Sequence, residues 1–518
     1  MYDTLILNAT IFSGKKEAPQ QTHLAIQGDR IAAIGNELAQ AEAKDIIDAS
    51  GLYLTPGFID THASTGFGYF FPKGADHKLY QGITTEIFGN CGTSPGPIGE
   101  KLVPTMNRLS DEIGFPFTWR TLGEYFEAIS DKLQFNIASL VGHSTLRGGY
   151  VSDVNNPSQG DLNAMEQALS QAMDEGALGY SSGLIYAPGC FADLQELIDL
   201  AKIAKVKGGL YASHVRNERD KLEDAVEEAL AIGHAAEIKV LISHLKAAEK
   251  PNWGKIDWVL KRIEQYNDSH EIKAKVDVYP YTAVSTKMRA FIPKYLLDQG
   301  MQALPARLEK QSALDDIDSW LTQKAYDLDK MLIISNDIPA YHGKTVYEVS
   351  KEMKQSYGRT MAQVIAENTE TWIVYHCINE DDMDQAVLWH DAMICTDSWS
   401  YPINAPKTIG EPHPRSYGAF TAYLERYVLQ QKSLDWPEAI YKVTKLPAEF
   451  FGLKDRGVVE EGYFADLVLF DPNNIRNNAT YLKPRSLSDG VEYLWINGVK
   501  TIAQKSVQDK ARAGRVLS

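Results

Sequence analysis

The sequence predicts an α/β fold: a (β/α)8 TIM-like barrel with a small β-sandwich domain built from both chain ends. Short apolar runs recur about every thirty residues through the middle of the chain, helical patterns lie between them, and alternating apolar and polar runs mark both termini. With 518 residues the chain exceeds one ordinary core, so two or three units are expected.

At the start, Thr4 to Asn8, His23 to Ile26 and Arg30 to Ile34 alternate in polarity and are separated by glycine or polar turns. The pattern returns in Ala465 to Phe470 and Tyr493 to Ile496, where Asn497-Gly498 is a strong hairpin signal. Residues 1–55 plus 455–518 therefore read as one composite β domain.

Between them, residues 56–454 carry the runs Phe58 to Asp60, Thr85 to Phe88, Ile137 to Val141, Leu178 to Ser181, Leu210 to Ala212, Val240 to Ile242 and Val276 to Val278, with Ile373 to Tyr375 and Met393 to Cys395 beyond. Strands alternating with helical crossovers predict a parallel sheet, and this regular spacing fits a closed barrel better than an open one. Nine candidates for eight places leave one surplus. About residues 286–344 the rhythm breaks, with a helical stretch from Met301 to Ala325 and no clear strand before Met331. An insertion of this length in a barrel reads as a lid or accessory subdomain on the catalytic face.

Composition narrows the function classes. Apolar residues make up 44% and charged residues 23%, ordinary for a globular chain, and no apolar stretch is long enough to span a bilayer. The N-terminus lacks the basic start and apolar core of a secretory signal, so a cytoplasmic location is expected. A net charge of −16 disfavours nucleic acid and anionic membrane as partners. This leaves a small-molecule substrate, with a homo-oligomer an open alternative. Cys91, Cys190, Cys377 and Cys395 are too sparse for a disulfide framework, which favours reduced thiols and metal ligation.

Several strand-like runs end in a residue able to hold zinc: His62, Cys91, His214, His244 and Asp397. In a barrel such ends converge on one mouth. His214 and His244 are thirty residues apart, one strand-helix unit, so neighbouring strands would present both imidazoles side by side. Catalytic zinc takes about three N, S or O donors and keeps a position open for water. Singly, each histidine reads more readily as a buried structural residue, and Cys91 as a small buried hydrophobe. The joint pattern, and the glycines Gly89 and Gly92 near Cys91, favour ligation.

The motifs carrying the next inference are Pro56-Gly57-Phe58-Ile59-Asp60, Gly82-Ile83-Thr84-Thr85 leading to Gly89-Asn90-Cys91-Gly92, and Val141-Gly142-His143. Gly176-Ala177-Leu178-Gly179 follows, leading to Ser181-Ser182-Gly183-Leu184-Ile185-Tyr186, then Ser213-His214-Val215-Arg216 and Ser243-His244-Leu245-Lys246. Asp277-Val278-Tyr279-Pro280-Tyr281, Thr396-Asp397-Ser398 and His413-Pro414-Arg415-Ser416-Tyr417-Gly418 complete the set. In order and over nearly the whole chain, these resemble the D-aminoacylase (N-acyl-D-amino-acid deacylase) branch of the metal-dependent amidohydrolases.

That resemblance implies a (β/α)8 barrel with a flanking β domain, and a tightly held zinc on Cys91, His214 and His244. The family's weaker second site uses a His-x-His pair, which here reads His62-Ala63-Ser64. A serine hydroxyl is a poor replacement for imidazole, so one tightly bound Zn2+ is expected, with His62 beside it. Asp397 is the expected general acid and base for amide hydrolysis. A D-amino acid's carboxylate needs a cationic or multi-donor clamp, for which Lys246, Tyr186 and Tyr279 match family substrate contacts, and Arg289 opens the inserted segment as a further cation. His143, His376, His413 and Arg415 are left as supporting or unassigned groups, His376 more readily structural than metal-binding. Two alternatives remain open: a hydrolase or lyase for a different linear or cyclic amide at the same mononuclear site, and an inactive binding protein on the same scaffold.

Overall fold

The computed structural model describes residues 1–63, 66–71, 74, 76–297, 303–334, 338–369, 371–400, 402–403, 411–508 and 512–518. The fold is mixed α/β. Strands from both ends of the chain share one nine-stranded sheet, to which Tyr2–Ile11, Gln20–Gln27, Arg30–Ile34, Ala43–Asp48 and Tyr53–Pro56 contribute from one side. Leu467–Phe470, Val491–Ile496, Val499–Ala503 and Ser506–Val507 come from the other. The Asn497-Gly498 pair joins two of these strands with φ of 47° and 77°, the left-handed conformation that a two-residue hairpin turn demands at both positions.

Asn497 also fastens this sheet to the rest of the molecule. Its backbone N–H donates to Asp466 Oδ1 at 2.7 Å, its amide donates to Asn136 Oδ1 at 2.8 Å, and its carbonyl accepts from Arg456 Nη2 at 2.8 Å. Arg456 pairs in turn with Asp466. The buried amide and charges are thus mutually satisfied, the condition for tolerating them inside a core. The chain end adds to the joint, with Leu517 N–H donating to Ile137 O at 2.7 Å and Ile137 N–H to Arg515 O at 2.9 Å.

Two parallel sheets meet at Leu140. Phe58–Asp60, Ile83–Phe88 and Asn136–Ser139 form one. Val141–Gly142, Gly179–Gly183, Leu210–His214, Lys239–Ile242, Ala274–Val278 and Ala392–Ile394 form the other, in that order. Ile83–Phe88 and Leu210–His214 are buried throughout, as expected of strands covered on both faces. The connecting helices Gln159–Asp174, Leu194–Val206, Leu222–Ala236 and Lys255–Ser269 each bury an apolar stripe, and the first starts on a capping box between Ser158 and Asp161. The register aligns Gly183 with His214 and Ser213 with Ile242, bringing the carboxyl ends of neighbouring strands level.

Two expectations are corrected. The surplus strand is Ile373 to Tyr375, which lies within Trp372–His376 and pairs antiparallel with Ala283–Lys287 and Met331–Ile334 in a separate three-stranded sheet. An apolar run reports burial but not the partner strand, so periodicity could not separate it from the parallel set. A strand absent from the candidate runs, Ala283–Lys287, ends just inside the inserted region, and its four half-buried residues carry little apolar signal. The region's helical stretch is divided into Leu304–Leu308 and Gln311–Lys324, because Lys310 is extended; Met301 and Gln302 lie outside the described residues.

One buried cation has a measurable consequence. Lys442, on Trp436–Val443, is buried and donates to the Trp389 carbonyl, and burial pushes its amine down to about 7. A lysine folded value below the unfolded one, roughly 10.4, means the folded chain releases this proton first as pH rises. The burial penalty is therefore fully present below pH 7 and is relieved between about 7 and 10.4. At about 4–5 kcal/mol, it exceeds the roughly 1–3 kcal/mol of leaving the carbonyl unpartnered. Lys442→Met is expected to raise the calorimetric Tm at pH 6.5, with the gain shrinking steadily toward pH 10; a gain independent of pH would contradict this assignment.

Candidate metal centre

Five of the residues singled out at strand ends converge. His214 ends its strand, Asp397 and His62 follow theirs closely, and His244 and Cys91 sit in the turns after Lys239–Ile242 and Ile83–Phe88. The turns are sharp: Cys91, His244 and Asp397 have φ of 52°, 36° and 42°. Each non-glycine residue held there costs roughly 1–3 kcal/mol, and such strain gathers where a side chain must be aimed. Glycine makes the Cys91 turn feasible, since a Cβ at Gly89 would lie 2.0 Å from Leu140 O and one at Gly92 2.7 Å from Gly183 N.

Cys91 Sγ lies 3.2 Å from His62 Nε2, 3.3 Å from His244 Nε2 and 3.4 Å from His214 Nδ1, and His62 Nε2 is 3.6 Å from Asp397 Oδ1. Donors bound tetrahedrally at zinc distances are about 3.3–3.6 Å apart. The spacing suits metal ligation. His62, Cys91, His244 and Asp397 form one group with donor atoms all within 4.8 Å of one another; His214, Glu218 and His244 form another.

The electrostatics point the same way. Burial opposes a charged His62, but the Cys91 sulfur and Asp277 carboxylate outweigh it and hold the imidazole well above its ordinary value. Burial likewise opposes the Cys91 thiolate, and His62 and His244 pull it below the usual thiol range. His214 is pushed down to about 4 by burial, aided by the Lys246 charge. For Asp397 burial works against ionisation, yet Arg415 and then His244 hold its carboxyl far below the usual range. Among the described residues, the acidic groups Cys91, Asp277, Asp397 and Glu218 lie beside Lys246 and Arg415.

The surrounding residues orient this cluster. Asp277 Oδ1 accepts the His244 backbone N–H at 2.5 Å, and Oδ2 lies 3.4 Å from His62 Nδ1. Glu218 Oε1 is 3.1 Å from His244 Nδ1 and 2.6 Å from Lys246 Nζ. Lys246 Nζ is also 2.7 Å from His244 Nδ1, and groups placed behind ligating imidazoles in this way fix their aim. The motif reading passed over both carboxylates, although a carboxylate ending a buried strand and a glutamate four residues after His214 were the available signals.

Of the other residues named from sequence, Lys246, Tyr279 and Arg415 border the cluster. Tyr279 lies between the Arg415 guanidinium at 4.6 Å and the Lys246 ammonium at 5.5 Å from its ring centroid. Arg415 Nη2 is 2.9 Å from Asp397 Oδ2, and its Nε donates to Asp397 O at 2.9 Å. Tyr186 packs edge-on to His214 at 5.0 Å, and His413 Nδ1 accepts from the Arg415 N–H at 3.0 Å. Three residues lie elsewhere. His143 bonds Glu196 at 2.7 Å, beside Arg147. His376 packs against Tyr481 at 4.6 Å and joins neither group of potential ligands. Arg289 donates to Thr369 O at 2.6 Å, beyond the end of Ala283–Lys287 remote from His376. Ser64 lies outside the described residues.

Residues 405–502 match the amidohydrolase family. D-aminoacylase of Alcaligenes xylosoxydans xylosoxydans is 30% identical over 100% of this chain and 98% of its own length. N-acyl-D-glutamate deacylase of the same organism is 32% identical over 99% of this chain and 96% of its own. The crystal structure of N-acyl-D-glutamate deacylase from Bordetella bronchiseptica, complexed with zinc and a phosphonate mimic of the tetrahedral intermediate, superposes with a TM-score of 0.83 at 30% identity, covering 100% of this chain and 99% of that one. Full-length likeness at this level, joined to a cluster of side chains able to hold a metal, settles the family: the chain belongs to the D-aminoacylase (N-acyl-D-amino-acid deacylase) family of metal-dependent amide hydrolases.

Proposed function

We propose that this chain cleaves the amide bond of N-acyl-D-amino acids at a single zinc held by Cys91, His214 and His244, with His62 beside it. The observation that carries the reading is one thiolate sulfur with three imidazole nitrogens at 3.2–3.4 Å. A single ion follows from Ser64 in the place of the family's second histidine. The parallel strands are read as a (β/α)8 barrel over 56–454, closed where Ala63 bridges Ser398. Residues 1–55 plus 455–518 form the flanking β domain, and the region at about 286–344, inserted within the barrel, is the barrel's lid. The four cysteines are free thiols, which suits the cytoplasm.

The chemistry supplied by bound zinc is Lewis acidity, which lowers the pKa of water and polarises the scissile carbonyl. Asp397, kept ionised by Arg415, accepts a proton from the attacking water as its oxygen bonds to the carbonyl carbon. The C–N bond then breaks as Asp397 returns that proton to the leaving nitrogen, and the remaining hydroxyl proton of the new acid passes to the released amine. The products are a carboxylate and a D-amino acid. Lys246, Tyr279 and the half-exposed Tyr186 form the wall on which the substrate carboxylate rests, and Arg415, rather than the remote Arg289, supplies the guanidinium there.

Two outcomes are expected. Asp397→Asn should retain zinc while kcat on N-acetyl-D-amino acids falls about 10²–10⁴-fold, with the L-enantiomers poor substrates of the parent; unchanged turnover, or equal cleavage of both enantiomers, would count against the reading. Asp277→Asn should weaken zinc binding roughly 10–100-fold in chelator competition without loss of helical circular dichroism; an unaltered affinity would remove Asp277 from the support of the site.

A further inference from the structure

Behind the cluster lies a second group of buried charges that the proposed chemistry does not use. The side chains of Lys78, Asp60 and Glu86 are at most 1% exposed. Lys78 Nζ is 2.5 Å from Asp60 Oδ2, 3.0 Å from Glu86 Oε2 and 2.7 Å from Thr396 Oγ1, so each ammonium proton has an acceptor. Asp60 Oδ1 accepts the Thr396 N–H at 2.9 Å and the His62 N–H at 3.4 Å, while Oδ2 accepts the Thr396 hydroxyl at 2.6 Å. Glu86 accepts from the Tyr69 hydroxyl.

The location gives this cluster its meaning. The strands Phe58–Asp60 and Ala392–Ile394 precede His62 and Asp397, yet among the described residues they share no ladder. Ala63 and Ser398 form an isolated bridge, and the bonds of Asp60 to Thr396 span the rest of the seam. Elsewhere in the parallel sheets, backbone ladders hold neighbouring ends in register. Here a carboxylate does so, and its own position depends on one ammonium.

We propose that Lys78 is a positioning residue for hydrolysis, setting the separation of His62 and Asp397 through Asp60 and Thr396. This inference rests on the function proposed above. The separation is 3.6 Å between His62 Nε2 and Asp397 Oδ1. Asp397 sits at a φ of 42°, a conformation that persists only while neighbouring bonds enforce it, and Thr396 is the residue before it. Burial opposes the Lys78 charge, but Asp60 and Glu86 outweigh it and hold the ammonium above its ordinary value. A displacement near 1 Å at a reacting group is enough to slow turnover by about 10²-fold.

Lys78→Met alone would strand two carboxylates in the core, so the test pairs it with Glu86→Gln. With N-acetyl-D-amino acids as substrate, the folded double variant is expected to bind zinc as the parent does, with kcat per bound zinc about 100-fold lower and KM within about threefold. Thr396→Val, which removes the hydroxyl link but keeps the Lys78–Asp60 pair, should show the same split at about tenfold, and it carries the test should the double variant not fold. A purely structural cluster would lower Tm or zinc content and leave kcat per bound zinc intact; that result overturns the inference while the deacylase reading stands. If the parent cleaves no N-acyl-D-amino acid, that reading falls and this inference with it.

Discussion

The concentration of negative charge at the mouth of the parallel strands is the constraint on which the rest of this structure depends. A thiolate and three carboxylates, with three imidazoles among them, are held largely out of water and, among the described residues, are paired with Lys246 and Arg415. Groups of like sign do not stay together in a low-dielectric interior without a compensating cation or a shift toward neutrality. Burial opposes a charged His62, but the Cys91 sulfur and the Asp277 carboxylate outweigh it, in keeping with that constraint. The sharp turns at Cys91, His244 and Asp397 serve the same end, since ordinary extended backbone would carry these side chains past one another.

The outer groups act in layers. Asp277 and Glu218 aim His244 and His62, Arg415 holds Asp397 ionised, and Tyr279 lies between the two cations. One layer further out, Lys78, Asp60 and Thr396 join the two strand ends that have no ladder between them. Tyr186, by contrast, is half-exposed.

Much of this was legible in the sequence, for physical reasons. His214 and His244 declared themselves because parallel neighbours repeat at the length of one strand-helix unit, and Cys91 through the glycines that its tight turn requires. What escaped was whatever depends on contacts distant along the chain. Lys78 looks like a surface residue in Asp76-His77-Lys78-Leu79, and only the fold shows it sealed between carboxylates from two strands. Arg289 and Arg415 are equally plausible clamps as letters, but one faces Thr369 and the other Asp397. The run Ile373 to Tyr375 was apolar enough for a barrel strand, and its antiparallel partners, the nearer of them about forty residues away, gave no local sign.

Crystals grown with zinc and measured at the zinc absorption edge test the central claim most directly. The account predicts a single anomalous peak per chain, with Cys91 Sγ at about 2.3 Å and imidazole nitrogens of His214 and His244 at about 2.0–2.1 Å. A second zinc of equal occupancy, or an ion bound without the Cys91 sulfur, would contradict it.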